Sequence, residues 1–350
     1  MARILLATWV VALSAVGLGS AQANAPLSFE SCTELRHYLD TLEPYTEVRL
    51  APSFYDCGEP INLSVDGLSI DFGGSTVRVA DHALRPGVLL GDLHTPPARR
   101  YKDITVRNLV VDGNRANQAW ECWGGPCDPK VNRNPYWQQR VNGITVNGCD
   151  DCSVLQAEVH SARSGGVVVV SSDRLLIDGL EARGAHFDGL AAYWTRDSLF
   201  RNVRVHNNDY AGFSFDLHFS NNRIENFESR DNRDHGMFIR LASGNIFVGG
   251  LFAGNKKNGI YFDRARVEQA ATCASDTRFE DVTVRGSGLY GAWLNFPCEG
   301  NSFVASQMID NQHGCFGGRE EAMIGRSDAT GCIGVQTEQT VDATAGNDQG

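Results

Sequence analysis

Eight glycines, at positions 143, 166, 189, 212, 236, 259, 291 and 314, recur at intervals of 23, 23, 23, 24, 23, 32 and 23 residues. Each opens a short strand-like run, such as Val167-Val168-Val169 after Gly166 or Ile260-Tyr261-Phe262 after Gly259. A fixed period in the twenties implies a solenoid, in which a repeat buries its apolar face only against its neighbours. The Leu-x-x-Leu-x-Leu-x-x-Asn pattern of leucine-rich repeats is absent. Short β-rich runs broken by Gly, Asn and Asp instead predict an all-β parallel β-helix. Such a fold lengthens along its axis, so residues 24–335 are expected to form one domain.

Strand side chains alternate between faces, so the register can be read as columns. With each glycine as position zero, positions one and three are apolar and predicted inward: Leu190 and Ala192, Phe213 and Phe215, Met237 and Ile239, Ile260 and Phe262. Positions two and four then point outward. The position-four column reads Asn147, Val170, Tyr193, Asp216, Arg240, Asp263, Asn295. With rungs about 4.8 Å apart, Asp216, Arg240 and Asp263 should form a charged cluster, with Tyr261 and Trp293 from position two on the same face. His218 emerges just after Asp216, and His235 immediately precedes Gly236. The one 24-residue interval falls here, an irregularity of the kind that re-aims side chains. An exposed Asp–Arg–Asp arrangement is often only a surface salt bridge contributing about 0–1 kcal/mol. Phenols, a histidine and carboxylates on neighbouring rungs make this one a candidate catalytic groove. His160, His186 and His206 are read as structural.

Residues 1–23 read as a secretory signal: Arg3, an apolar stretch from Ile4 to Val16, and Ala21-Gln22-Ala23 as a cleavage site. The apolar stretch is short for a bilayer span, and no later segment is long enough. An exported protein, extracellular, in the cell wall or periplasmic, is therefore expected, and as a monomer. All ten cysteines follow the signal, and an even number under oxidising conditions points to disulfides. Proximity suggests Cys32–Cys57, Cys122–Cys127, Cys149–Cys152, Cys273–Cys298 and Cys315–Cys332. No second Cys-x-x-Cys or histidine cluster completes a zinc site, so no metal is expected.

Ser31-Cys32-Thr33-Glu34 is a capping box, predicting a short helix through Leu42 that plugs the solenoid end within residues 24–47. Residues 114–140 interrupt the rhythm with Trp120, Trp123, Tyr136, Trp137 and Arg140, either lining a binding face or packing on themselves. The 32-residue interval implies a second insertion near 265–275. Residues 336–350 are polar and expected to be disordered. The formal charge of −11 argues against nucleic acid as a partner but leaves room for a polyanionic sugar, since a local basic groove decides capture.

At Phe213-Ser214-Phe215-Asp216-Leu217-His218 the sequence resembles the mannuronan C5-epimerases, whose hallmark is Asp-Pro-His, with Leu217 in place of proline. His235-Gly236-Met237-Phe238-Ile239-Arg240 resembles the family's next rung. The resemblance implies a right-handed parallel β-helix acting on alginate or polymannuronate without a cofactor, converting β-D-mannuronate to α-L-guluronate within the chain. It implies His218 as the proton-abstracting base, Arg240 as neutraliser of the sugar carboxylate and Asp216 as their positioner. Family members commonly carry a tyrosine three residues before the motif Asp. Phe213 stands there, so Tyr193, Tyr261 or water is left as the acid. Asp263, Tyr261, His235 and Trp293 are expected to line the substrate. The calcium-binding nonapeptide Gly-Gly-x-Gly-x-Asp is absent. A polysaccharide lyase shares the proton abstraction. A glycoside hydrolase using Asp216 and Asp263, or a non-catalytic sugar-binding solenoid, are the remaining readings.

Overall fold

The structure, a computed structural model, describes residues 25–119, 140–267, 270–295, 298–318 and 332–333. It is a right-handed parallel β-helix. The expected signal, most of the 114–140 insertion with Cys122 and Cys127, and the 336–350 tail lie outside the described residues.

One sheet has ten parallel strands: Ile61–Leu63, Val88–Gly91, Ile144–Asn147, Val167–Val170, Leu190–Tyr193, Phe213–Asp216, Met237–Ile239, Ile260–Phe262, Ala292–Leu294 and Phe316–Gly318. A second, sixteen-stranded sheet wraps the remaining sides. Its eight-residue strands, such as Ser153–His160 and Leu199–His206, turn a corner midway. The corner residues Asn108, Gln156, Gly179, Asn202, Asn226 and Gly249 all take positive φ, and asparagine and glycine visit that region at least cost.

The glycine column is a close-approach device. A Cβ at Gly143, Gly166, Gly212, Gly236 or Gly259 would meet the carbonyl oxygen of the next column member at 2.5–2.9 Å. The column also begins earlier than the sequence reading has it, with Gly87 packed under the Gly143 carbonyl. It ends differently: Ala292 pairs with Phe316, so Cys315, not Gly314, follows Gly291. Gly314 sits one residue early, at a φ of +105°.

Positions one and three fill the core as expected, and Leu190, Ala192, Phe213, Phe215, Met237 and Ile239 are fully buried. Phe215 stacks on Phe219 at 4.2 Å, and Phe247, Phe279 and Phe303 stack in series at 4.9 and 4.6 Å. Polar turns are satisfied by ladders, in which the Oδ1 of Asn232 accepts from Asn208 and that of Asn255 accepts from Asn232. The helix is Cys32–Leu39, capped by Ser31 Oγ on the Glu34 N–H, with Cys32, Leu35 and Leu39 buried. The second insertion is an antiparallel hairpin of Arg264–Val267 and Ala270–Cys273. Three expected bridges are present, Cys32–Cys57, Cys149–Cys152 and Cys273–Cys298. Cys315 is also disulfide-bonded, while the side chain of Cys332 lies outside the described residues. No described helix is long and apolar enough to cross a membrane.

Candidate active site

The ten-stranded sheet aligns Val170, Tyr193 and Asp216 across successive rungs, then Phe215 with Ile239 and Phe262. This register brings Asp216, Arg240 and Asp263 together as the columns require. Outward does not mean exposed, however. Asp216 is only 3% exposed and Ser214 is buried beside it. Nearer the N-terminus the same face is covered: buried Asn147 donates to the carbonyls of Asp92 and His94 at 2.7 and 2.6 Å.

Asp216 receives the Leu217 N–H at 2.7 Å and the Arg240 Nε at 3.1 and 2.9 Å on its two oxygens, with Arg240 Nη2 closing a second contact. Hydrogen bonding to Asp216 raises the Arg240 pKa, so the guanidinium is permanently charged. Its carbon lies 5.3 Å from the Phe238 ring centroid. The Nε–Nη2 edge, the natural fork for a carboxylate, is thus occupied by the protein's own Asp216. What remains toward the groove is the Nη1 side, where Asp263 Oδ2 stands at 3.9 Å. Asn295 Nδ2 donates to Asp263 Oδ1 at 2.8 Å.

The extra residue of the 24-residue interval lies in the turn after Asp216. Tyr193 pairs with Asp216 and Arg196 bridges to Ser220, so three residues occupy a corner that takes two on the preceding rung. Leu217 and His218 both have positive φ, +48° and +68°. The bulge pushes His218 into solvent, and its ring has no hydrogen-bond or ionic partner among the described residues. A proline, fixed near φ −65°, cannot occupy position 217 in this conformation. The departure from Asp-Pro-His therefore goes with a locally different chain path.

His235 is held differently from His218. Its Nδ1 accepts the Asn258 N–H at 3.2 Å, its Nε2 lies 3.2 Å from Asp234 Oδ1, and its ring stacks on Tyr261 at 4.5 Å. Burial pushes its pKa down to about 4, outweighing the attraction of Asp234. At neutral pH it is an uncharged Nε2–H tautomer. His235 belongs to a column that the sequence reading did not use, position minus one. There Asn142, Asp188, His235 and Asn258 each accept the backbone N–H of the next rung's equivalent residue, at 3.1, 3.0, 3.2 and 3.0 Å.

Asp188 is the ionisable member that sequence reasoning missed. Burial, reinforced by Asp234, pushes its carboxyl up to about 7, although hydrogen bonds from the Ala211 N–H and the Ser214 side chain oppose the shift. Some of its surface still meets solvent, so the enclosure is that of the carboxyl rather than of the whole residue. Burial, reinforced by Asp188, raises the Tyr193 phenol above its usual range, against a lowering influence of the Ser214 hydroxyl. Tyr193, Ser214 and Asp188 thus form a second polar group beside the Asp216–Arg240 pair. Reading the residue before each glycine would have exposed it. Trp293 pairs with Tyr261 in register, is half-buried, and contacts Tyr290 at 5.1 Å.

A family model described as the right handed beta helix region matches residues 122–268. No curated protein matches the sequence. Among solved structures, the A-module of the Azotobacter vinelandii mannuronan C-5 epimerase AlgE4 is 17% identical, covering 76% of this chain and 69% of that one, with a TM-score of 0.57. The periplasmic alginate epimerase AlgG is 11% identical over 88% and 83% of the two chains, with a TM-score of 0.50. The N-terminal fragment of bacteriophage Phi29 gene product 12 is 12% identical over 79% and 55%, with a TM-score of 0.60. At these identities the likeness is one of fold.

Proposed function

We propose that the protein is an exported polyuronate C5-epimerase that converts mannuronate to guluronate within an alginate chain. The observation that carries this reading is a charged arginine, locked by a buried aspartate, one rung from an exposed histidine on a bulged corner. Removal of the C5 proton places charge on the sugar carboxylate, and a preorganised cation there lowers the barrier. Arg240 meets that carboxylate through its Nη1 side. His218 takes the proton as general base. Tyr193, kept protonated by burial, returns a proton to the opposite face, and Asp188, which is coupled to it electrostatically and holds its own proton near neutrality, restores it. Asp216 fixes Arg240, while Tyr261, Trp293 and Asp263 line the path of the polymer. His235, neutral and fixed between Asn258 and Tyr261, supports Tyr261 rather than meeting substrate.

The test is incubation with polymannuronate in heavy water, read by proton NMR. Guluronate signals with deuterium at C5 are expected. Unsaturated chain ends, seen by their ultraviolet absorbance, would replace the epimerase by a lyase. His218→Ala should lower turnover at least about a hundredfold while the polymer still binds.

A further inference from the structure

The corners that follow five successive groove strands each begin with a residue at positive φ: Gly148 at +64°, Ser171 at +49°, Trp194 at +48°, Leu217 at +48° and Leu241 at +50°. Left-handed corners recur along the solenoid, and at these five a side chain as large as an indole is the most strained occupant. Trp194 is also 44% exposed, among the few large apolar side chains on the surface. Its ring has no aromatic, cationic or hydrogen-bond partner among the described residues. Its N–H bonds the Leu217 carbonyl at 2.8 Å, which sets it directly against the turn that carries His218. On the other side stands the small residue Ser171, and beyond it Gly148 lies under Pro97 and Arg99, which close the face at that end.

We infer that Trp194 is a stacking platform for a pyranose ring, binding the sugar unit next to the one presented to His218. An indole offers a large, rigid face at little entropic cost, and the short Ser171 side chain on the neighbouring rung leaves room for a ring beside it. One rung along the axis from His218 is where a polymer following the groove places its adjacent unit. The inference rests on the polyuronate reading of the groove and adds a binding position to it.

The experiment measures binding of a mannuronate hexamer by calorimetry to the full chain carrying His218→Ala, so that nothing is turned over. Adding Trp194→Gly should weaken binding about tenfold or more, whereas Trp194→Phe should stay within about threefold. Glycine also removes the left-handed strain, so Trp194→Gly should raise the melting temperature. Better stability with worse binding is the opposite of what a structural tryptophan gives. Unchanged affinity, or a lowered melting temperature, overturns the platform while leaving the epimerase reading standing. If the His218→Ala chain binds no hexamer at all, the polyuronate reading falls and the platform with it.

Discussion

At the scale of single residues, the site is governed by which partner each ionisable group already has. Arg240 spends its best edge on Asp216, and Asp263 stands 3.9 Å from the side that remains. Under the proposed function, a polyuronate approaches a guanidinium that a second carboxylate already faces. Asp263→Asn keeps the size and can keep the Asn295 contact while removing the competing charge. Its KM for polymannuronate should fall about three- to tenfold, and steady-state kinetics showing a rise would assign Asp263 to substrate binding instead. Asp188 makes a second prediction. Its pKa is raised in the folded protein to about 7 from the ordinary carboxyl value of 3.8. Between these values the unfolded chain loses the proton and the folded chain keeps it, so stability falls as pH rises through this window and levels off above it. Asp188→Asn, which can still accept the Ala211 N–H, should be more stable at pH 8 by about 2–4 kcal/mol. It should be indistinguishable from the parent near pH 3. Denaturant titrations at the two pH values check this.

At the scale of elements, the deciding feature is the one-residue bulge between Asp216 and Ser220. Two successive left-handed residues turn His218 outward and leave the Leu217 N–H on Asp216. Leu217→Pro, which recreates the Asp-Pro-His sequence, would need a forbidden φ and would delete that hydrogen bond. It should cost about 1–3 kcal/mol and depress turnover by loosening Asp216. Thermal melts and activity assays would show the change, and a fully stable, fully active variant would mean the turn readily takes a second path. The ladder of position minus one acts over a longer range. By accepting backbone N–H groups, Asp188 and His235 tie the groove's edge to its rungs, so their chemistry and their structural role are joined.

At the scale of the whole molecule, each repeat is stable only against its neighbours, and the ends are where a solenoid is most exposed. The capping helix Cys32–Leu39 buries Leu35 and Leu39 over the first coils and is tied by Cys32–Cys57, which spans 25 residues. Replacing both cysteines by alanine should lower stability by about 3 kcal/mol through the freedom returned to the unfolded chain. Local exchange at the N-terminal coils should rise first. Hydrogen-exchange mass spectrometry that found the loss spread evenly over the molecule would argue against a capping role. On the proposed reading, capture of a polyanion by a chain of net charge −11 has to be local, and Arg240 is the cation assigned to it.

The sequence by itself determined the repeat, because a 23-residue period and alternating side chains are local properties written into every rung. From them follow the inward column of Leu190, Phe213, Met237 and Ile260, the meeting of Asp216, Arg240 and Asp263, the place of the extra residue, and three bridges between near cysteines. Register at the C-terminal end was not legible, since Gly314 and Cys315 differ by one position and only strand pairing chooses between them. Nor was the state of the site. That Asp216 fills the arginine fork, that His235 is a neutral acceptor, that Asp188 holds its proton near neutrality and that Trp194 stands unpartnered among the described residues all depend on contacts between rungs. Those contacts, and the burial that shifts a pKa, exist only once the coils are stacked.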